Sequence, residues 1–238
     1  MLTRCALLAF IFLTTTTMTY ANECVILLHG LARSASSMEK MAESLQNNYF
    51  SVINYDYPST HFPIDVLATE HIPKALSLCG KAKRIHFVTH SMGGILVRQY
   101  LSTEKIENLG RVVMLAPPNQ GSEVVDALAN FPPFQWLNGP AGKQLGTDDR
   151  SVPNQLGTAN FELGIIAGNR TFNPILSTLL PNPDDGKVSV ERTKLNGMKE
   201  HITLPVTHTF IMRNGEVIQN TITFLKEGRF LEPTINEK

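Results

Sequence analysis

The chain has 238 residues, with 21 Lys plus Arg against 21 Asp plus Glu, so its formal net charge at pH 7 is zero. That balance, with no basic run, argues against nucleic acid or an anionic membrane surface as the main partner. The length is enough for one domain with a substantial core, and no internal repeat, low-complexity tract or long linker divides it.

Residues 1–21 read as a signal peptide rather than as part of the fold. Arg4 gives a positive start, the apolar run 5–13 is too short to span a bilayer, and Thr19-Tyr20-Ala21 puts small residues at the two cleavage positions. The expected mature chain, 22–238, is a single domain that is exported, periplasmic or secreted, with no stable membrane span after cleavage. An uncleaved anchor is the alternative. Ala21-Asn22-Glu23 ahead of Cys24 forms no lipobox, so a lipoprotein is not expected.

Six runs read as strands: 25–28, 52–55, 85–89, 111–115, 163–167 and 202–206. They are mostly continuous apolar runs, the pattern of strands covered on both faces, and helical patterns fall between them. The expectation is an α/β fold with a mostly parallel central sheet of about six strands and helices on both faces. The helix near 64–79 holds Pro73 in its interior and is expected to kink or break there.

The first strand runs out in His29-Gly30-Leu31. A glycine suits a point where a backbone N–H must turn toward a pocket with no side chain in the way. His29 reads as a buried, hydrogen-bonded residue that shapes the loop, not as a base. Further on, Ile85-His86-Phe87-Val88 leads into Thr89-His90-Ser91-Met92-Gly93-Gly94 and then the helix-like Ile95-Leu96-Val97-Arg98-Gln99-Tyr100-Leu101. Strand, tight turn, helix is the context of a nucleophile elbow, with the Ser91 hydroxyl at the C-terminal edge of the sheet and the Met92 N–H facing an oxyanion. Thr89 stands where the motif usually has its first Gly. A Thr is tolerable in that crowded turn if its hydroxyl is bonded locally. His90, beside Ser91 on the sharp turn, is expected to point elsewhere.

On these residues the chain resembles the α/β-hydrolase superfamily, and within it the secreted bacterial lipases and esterases. Arg111-Val112-Val113-Met114-Leu115-Ala116-Pro117-Pro118-Asn119-Gln120-Gly121-Ser122 is similar to a strand exit of that family, and Asp185-Gly186-Lys187-Val188 to its acid loop. The resemblance implies that Leu31, after His-Gly, donates the first oxyanion N–H and Met92 the second. It also implies a short cap or lid inserted at about 122–160. There Phe131-Pro132-Pro133-Phe134-Gln135-Trp136-Leu137 either walls an acyl pocket or only packs on the core.

In this fold the acid and then the base follow the serine in chain order. Leu163-Gly164-Ile165-Ile166-Ala167-Gly168 reads as the strand before the acid, and the loop Pro181-Asn182-Pro183-Asp184-Asp185-Gly186 follows. The resemblance puts the acid immediately before the Gly, which selects Asp185 and leaves Asp184 as the alternative. Of seven histidines, His29, His61, His71 and His86 precede the acid, and His90 adjoins Ser91 and is expected to point elsewhere, leaving His201 and His208. His208 lies just past the last strand and ahead of an amphipathic helical stretch, 216–225, so His208 is the expected base and His201 lies at the far end.

Once the leader is gone only Cys24 and Cys79 remain, an even pair in an oxidising compartment. In the topology that the resemblance implies, the strand starting at Cys24 and the strand after Cys79 are parallel neighbours. A Cys24–Cys79 disulfide is therefore expected at the edge opposite the chemistry, with two separate buried thiols as the alternative.

The resemblance implies a carboxylic ester hydrolase working through Ser91, His208 and Asp185 and an acyl-enzyme. The same triad can serve a thioesterase, an amidase or an acyltransferase. A non-catalytic binding protein on a hydrolase scaffold is the third reading, and the complete set of site residues stands against it. No cofactor and no metal are expected, because no His/Asp/Glu cluster has ligand spacing. The calcium site of some related lipases does not carry over. The expected partner is a small-molecule or lipid ester; protein partners are not specified.

Overall fold

The computed structural model describes residues 22–172 and 174–232. The expected signal peptide lies outside the described residues. Six strands form one sheet: β1 (Glu23–Leu28), β2 (Ser51–Tyr55), β3 (Arg84–His90), β4 (Leu109–Leu115), β5 (Leu163–Gly168) and β6 (Glu200–Leu204), in the order β2-β1-β3-β4-β5-β6. Every neighbouring pair is parallel. The last strand ends at Leu204 rather than at residue 206, because Val206 turns back to bond its N–H to the Leu204 carbonyl.

Alternation along the strands feeds two cores. Ile26, Leu28 and Phe87 point to one face, where α2 (Ile64–Leu78) and α3 (Met92–Leu101) bury Ile64, Leu67, Ile72 and Ile95. Val25, Leu27 and Val88 point to the other, against α1 (Glu39–Gln46) and the C-terminal helix. The apolar runs needed both faces covered, which is why they show no polar alternation. Helix α2 continues through Pro73 without a break. Its buried stripe, running from Ile64 through Ile72 to Ala75, packs on the core across the proline, and that packing outweighs the missing N–H bond.

Between β4 and β5 come three short helices, α4 (Glu123–Leu128), α5 (Pro132–Lys143) and α6 (Val152–Gln155). α5 holds a kink at Gly139, whose positive φ lets the chain pass against the Thr60 carbonyl, where a Cβ has no room. After β5 come α7 (Pro174–Ser177), α8 (Val190–Thr193), β6 and finally α9 (Gly215–Glu227). Asn214 caps α9, its side chain accepting from the N–H groups of Glu216 and Val217.

Cys24 and Cys79 form a disulfide, with Cα atoms 5.7 Å apart. Cys24 is the second residue of β1 and Cys79 caps the C-terminus of α2, so the bridge ties the helix to the N-terminal edge of the sheet. Among the described residues no helix is long and apolar enough to cross a membrane.

The chain passes from β1 outward to β2 and then back across β1 to β3. Such a reversal opens a crevice beyond the C-terminal ends of β1 and β3, where ligands of open parallel sheets bind.

Candidate active site

Ser91 occupies the turn between β3 and α3 with φ 52° and ψ −124°. A left-handed serine is a strained conformer, costing on the order of 1–3 kcal/mol, and persists only when its surroundings fix it. Here its N–H donates to the Leu115 carbonyl at 2.9 Å and its own carbonyl accepts from Gly94 N–H at 3.0 Å. Gly93 admits the close approach of β1: a Cβ there would lie 2.7 Å from the Leu28 carbonyl oxygen. Thr89 departs from the expectation of a local hydrogen bond. Its hydroxyl is buried without a partner among the described residues. The turn accepts the larger side chain because Gly94 leaves room for it, the Thr89 Oγ1 lying 3.2 Å from where a Gly94 Cβ would stand.

The side chain of His208 reaches Ser91 from the loop after β6. His208 Nε2 lies 3.1 Å from Ser91 Oγ, and His208 Nδ1 lies 2.8 Å from Asp185 Oδ2. With Nδ1–H donating to the carboxylate, Nε2 is left as the acceptor facing the serine hydroxyl. Asp185 is 2 % exposed, and its second oxygen, Oδ1, accepts from the N–H groups of Lys187 and Val188 at 3.0 and 2.8 Å. The main chain also joins the two, His208 N–H donating to the Asp185 carbonyl at 3.0 Å.

Asp184 takes a different place. Its oxygens accept from Gly186 N–H at 2.7 Å and from Ser177 Oγ at 2.6 Å, so it closes the loop and ties it to α7. His201 sits within β6 opposite Ile165, its Nε2 2.8 Å from Thr193 Oγ1, away from Ser91. The structure thus brings Ser91, His208 and Asp185 together and leaves Asp184 and His201 out.

His29 is fully buried. Its Nδ1–H donates to the Gly30 carbonyl at 2.9 Å, its Nε2 accepts from Tyr57 N–H at 3.3 Å, and its ring stacks on Tyr57. Burial holds its pKa below the usual histidine value. The next residues carry the chain over Ser91: a Cβ on Gly30 would lie 2.8 Å from His90 Nδ1 and 3.2 Å from Ser91 Cβ. Among the described residues neither Leu31 N–H nor Met92 N–H donates to a protein acceptor.

His90 does not point away. Its ring lies 4.9 Å from that of His208, and its Nε2–H donates to the His208 carbonyl at 3.0 Å. Burial first, and then the neighbouring His208, push its pKa well below the ordinary value, so it is neutral. The signal in the sequence, a histidine directly before the serine, says nothing about which way the ring turns.

A cavity of about 230 Å³ opens on Ser91 and His208. The segment 122–160 walls it: Leu128, Phe134, Leu137 and Leu145 line it, while Trp136 in the same helix is 87 % exposed. The aromatic and proline-rich patch is therefore divided between pocket wall and surface. Arg98 was missed by sequence reasoning. It is 5 % exposed and donates to the carbonyls of Asn119, Pro153 and Gly157, pinning α3 to the end of the cap. Its pKa is lowered to about 10 by burial. A lone Arg in the apolar run Ile95-Leu96-Val97-Arg98 was the available signal. Among the described residues no group of three or more His, Cys, Asp or Glu is placed to hold a metal ion.

Several solved structures share this architecture. The lipase BlEst2 of Bacillus licheniformis in its mature form is 18 % identical with a TM-score of 0.62, over 84 % of this chain and 88 % of that one. Phospholipase PlaB from Legionella pneumophila is 17 % identical with a TM-score of 0.65, over 84 % of this chain and 56 % of that one. Lipase B of Aspergillus fumigatus is 14 % identical with a TM-score of 0.63, over 92 % of this chain and 56 % of that one. The chain spans about half the length of the last two, and at these identities the likeness is one of fold. No curated protein matches the chain at a significant level. The model of the alpha/beta hydrolase family matches residues 25–185, well over half of the sequence, and the chain belongs to that family.

Proposed function

We propose that this protein is a serine hydrolase that cleaves carboxylic esters through an acyl-enzyme. The observation that carries the reading is the continuous relay from Asp185 through His208 to Ser91, at 2.8 and 3.1 Å. His208 Nε2 takes the Ser91 proton as Oγ attacks the ester carbonyl, then gives that proton to the leaving alkoxide. Water enters, His208 takes its proton, and collapse of the second tetrahedral intermediate frees the acid and restores Ser91. Asp185 holds Nδ1–H in place and stabilises the imidazolium in both steps. The oxyanion accepts from Leu31 N–H and Met92 N–H, each worth on the order of 3 kcal/mol in the transition state. Leu128, Phe134 and Leu137 give the site an apolar wall suited to an alkyl chain.

The test is turnover of p-nitrophenyl esters of increasing chain length by the purified protein, with fluorophosphonate labelling in parallel. Hydrolysis together with labelling of Ser91 is the expected result. Silence on every ester with no labelling overturns the reading in favour of a binding protein on this scaffold.

We also propose that the protein is exported from the cytosol, which the signal-like residues 1–21 and the Cys24–Cys79 bridge support. Fractionation of the expressing cell, with N-terminal sequencing of the exported protein, tests it. A start near Asn22 is expected, and an intact leader on cytosolic protein contradicts it.

A further inference from the structure

Two cations lie in the wall of the Ser91 cavity, and among the described residues neither forms an ion pair with an acid. Arg33 comes from the loop after β1, two residues beyond Leu31, and Lys187 from the acid loop, two residues beyond Asp185. They enter from separate segments on the same cavity as Ser91 and His208. Among the described residues neither side chain has an ion pair or a hydrogen-bond partner. The nearby carboxylate of Asp185 is committed: Oδ1 to two backbone N–H groups and Oδ2 to His208.

The backbone that carries each cation is tied down, at Lys187 itself and on either side of Arg33. Lys187 N–H donates to Asp185 and its carbonyl accepts from Ser122 Oγ at 2.7 Å. Around Arg33, Ala32 N–H donates to Ser59 Oγ at 3.1 Å and Ala35 N–H to Asp56 Oδ1 at 2.8 Å. Their charges act on the same space. Desolvation and then Arg33 lower the Lys187 pKa against an opposing pull from the Asp185 carboxylate, and both cations add to the depression of the His90 pKa. Lys187 is exposed and Arg33 half-buried, both on the wall of the cavity.

A chain of zero net charge has no general excess of cations to scatter there. Two like charges on one cavity wall repel each other, and an anion bound by both offsets that cost. The rest of the wall is apolar, through Leu128, Phe134, Leu137 and Leu145.

We infer that the substrate is an amphiphilic ester bearing an anionic oxygen group, carboxylate or phosphate, which Arg33 and Lys187 bind while the scissile carbonyl lies at Ser91. This rests on the ester hydrolase reading for its chemistry and on the cation pair for its selectivity. The anion can sit on the leaving alcohol or on the acyl chain.

Binding and turnover are measured separately. Octyl phosphate and octanol are titrated by calorimetry into the wild type, Arg33→Gln, Lys187→Gln and the double variant, each checked for folding by circular dichroism. Octyl phosphate is expected to bind roughly tenfold tighter than octanol or more, the scale of a charge-assisted hydrogen bond, and the double variant to lose that preference. Equal affinities in the wild type, or a preference that survives in the folded double variant, overturn the inference.

The values of kcat/KM are then compared within two pairs. In 1-octanoylglycerol 3-phosphate against 1-octanoylglycerol the anion is on the alcohol. In mono-p-nitrophenyl suberate against p-nitrophenyl octanoate it is on the acyl chain. A preference for the charged member of one pair, lost in the double variant, assigns the side. Cleavage without a preference in either pair overturns the inference. If octyl phosphate binds as expected and none of the four esters is cleaved, the anion site stands and the ester hydrolase reading fails.

Discussion

His90 Nε2–H donates to the main-chain carbonyl of His208 at 3.0 Å, so the residue before the nucleophile holds the backbone of the residue that faces it. Because the acceptor is a carbonyl, His90 must carry its proton on Nε2, and its depressed pKa keeps it in that neutral form. The two ends of the Ser91–His208 contact are thus fastened to one another twice, once by side chains and once through the main chain.

Replacing His90 leaves the His208 carbonyl buried without its donor, a loss of about 1–3 kcal/mol. His90→Leu should lower thermal stability and reduce kcat more than it raises KM, because the displaced group is the proposed base and not a binding surface. His90→Gln, which retains a donor, should recover part of kcat. Equal kcat for wild type and a folded His90→Leu would show that this bond does not position His208.

Asp185 and Asp184 differ by one residue and by every partner. Asp185→Asn should lower kcat by several orders of magnitude, because the amide no longer favours the tautomer with Nε2 free. Asp184→Asn should loosen the tie to Ser177 and leave kcat within a few fold. Steady-state kinetics on the two variants decide it, and the reverse ranking would move the acid to Asp184.

The disulfide lies at the opposite edge of the sheet from the relay. Bridging residues 55 apart in sequence restricts the unfolded chain by about 4 kcal/mol at most in the loop-closure account, and about 2–4 kcal/mol is the expected cost of losing it. Paired Cys24→Ala and Cys79→Ala substitutions should lower the denaturant midpoint and change activity little. The unreduced protein, once denatured, should titrate no thiol. Two titratable thiols would show that the bridge does not form in solution.

Five histidines, His29, His71, His86, His90 and His201, have pKa values lowered from 6.5, in each case chiefly by desolvation. The folded state therefore keeps them neutral at pH values where the unfolded chain would protonate them. Below about pH 6.5 the unfolded state binds more protons, so stability is complete above that value and falls as the pH drops through it. Chemical denaturation at pH 7.5, 6.5 and 5.5 should give a descending series of midpoints. A midpoint that rises toward pH 5.5 would contradict the sign.

Much of this was legible in the sequence, for reasons that differ between elements. The six strands could be read because burial on both faces leaves unbroken runs such as Val25-Ile26-Leu27-Leu28, and their order made β1 and β3 neighbours under the elbow. Ser91 and Asp185 sit on turns whose chemistry is local, so their motifs point to them. What could not be read depends on side chains crossing long sequence distances. The turn of His90 toward His208, 118 residues later, is one case, and the reach of Arg98 to Pro153 and Gly157 is another. The continuity of α2 through Pro73 was hidden for a related reason: local propensity favours a break, and tertiary packing decides against it.

The proposed role of Ser91 as a nucleophile driven by His208 stands or falls on ester turnover by Ser91→Ala beside the wild type, with both folds checked by circular dichroism. The variant should keep a native spectrum and show activity below about a thousandth of wild type. Adding His208→Ala should cost little more, since the two residues act as one unit. A folded Ser91→Ala that retains more than that fraction of its hydrolysis would contradict that role.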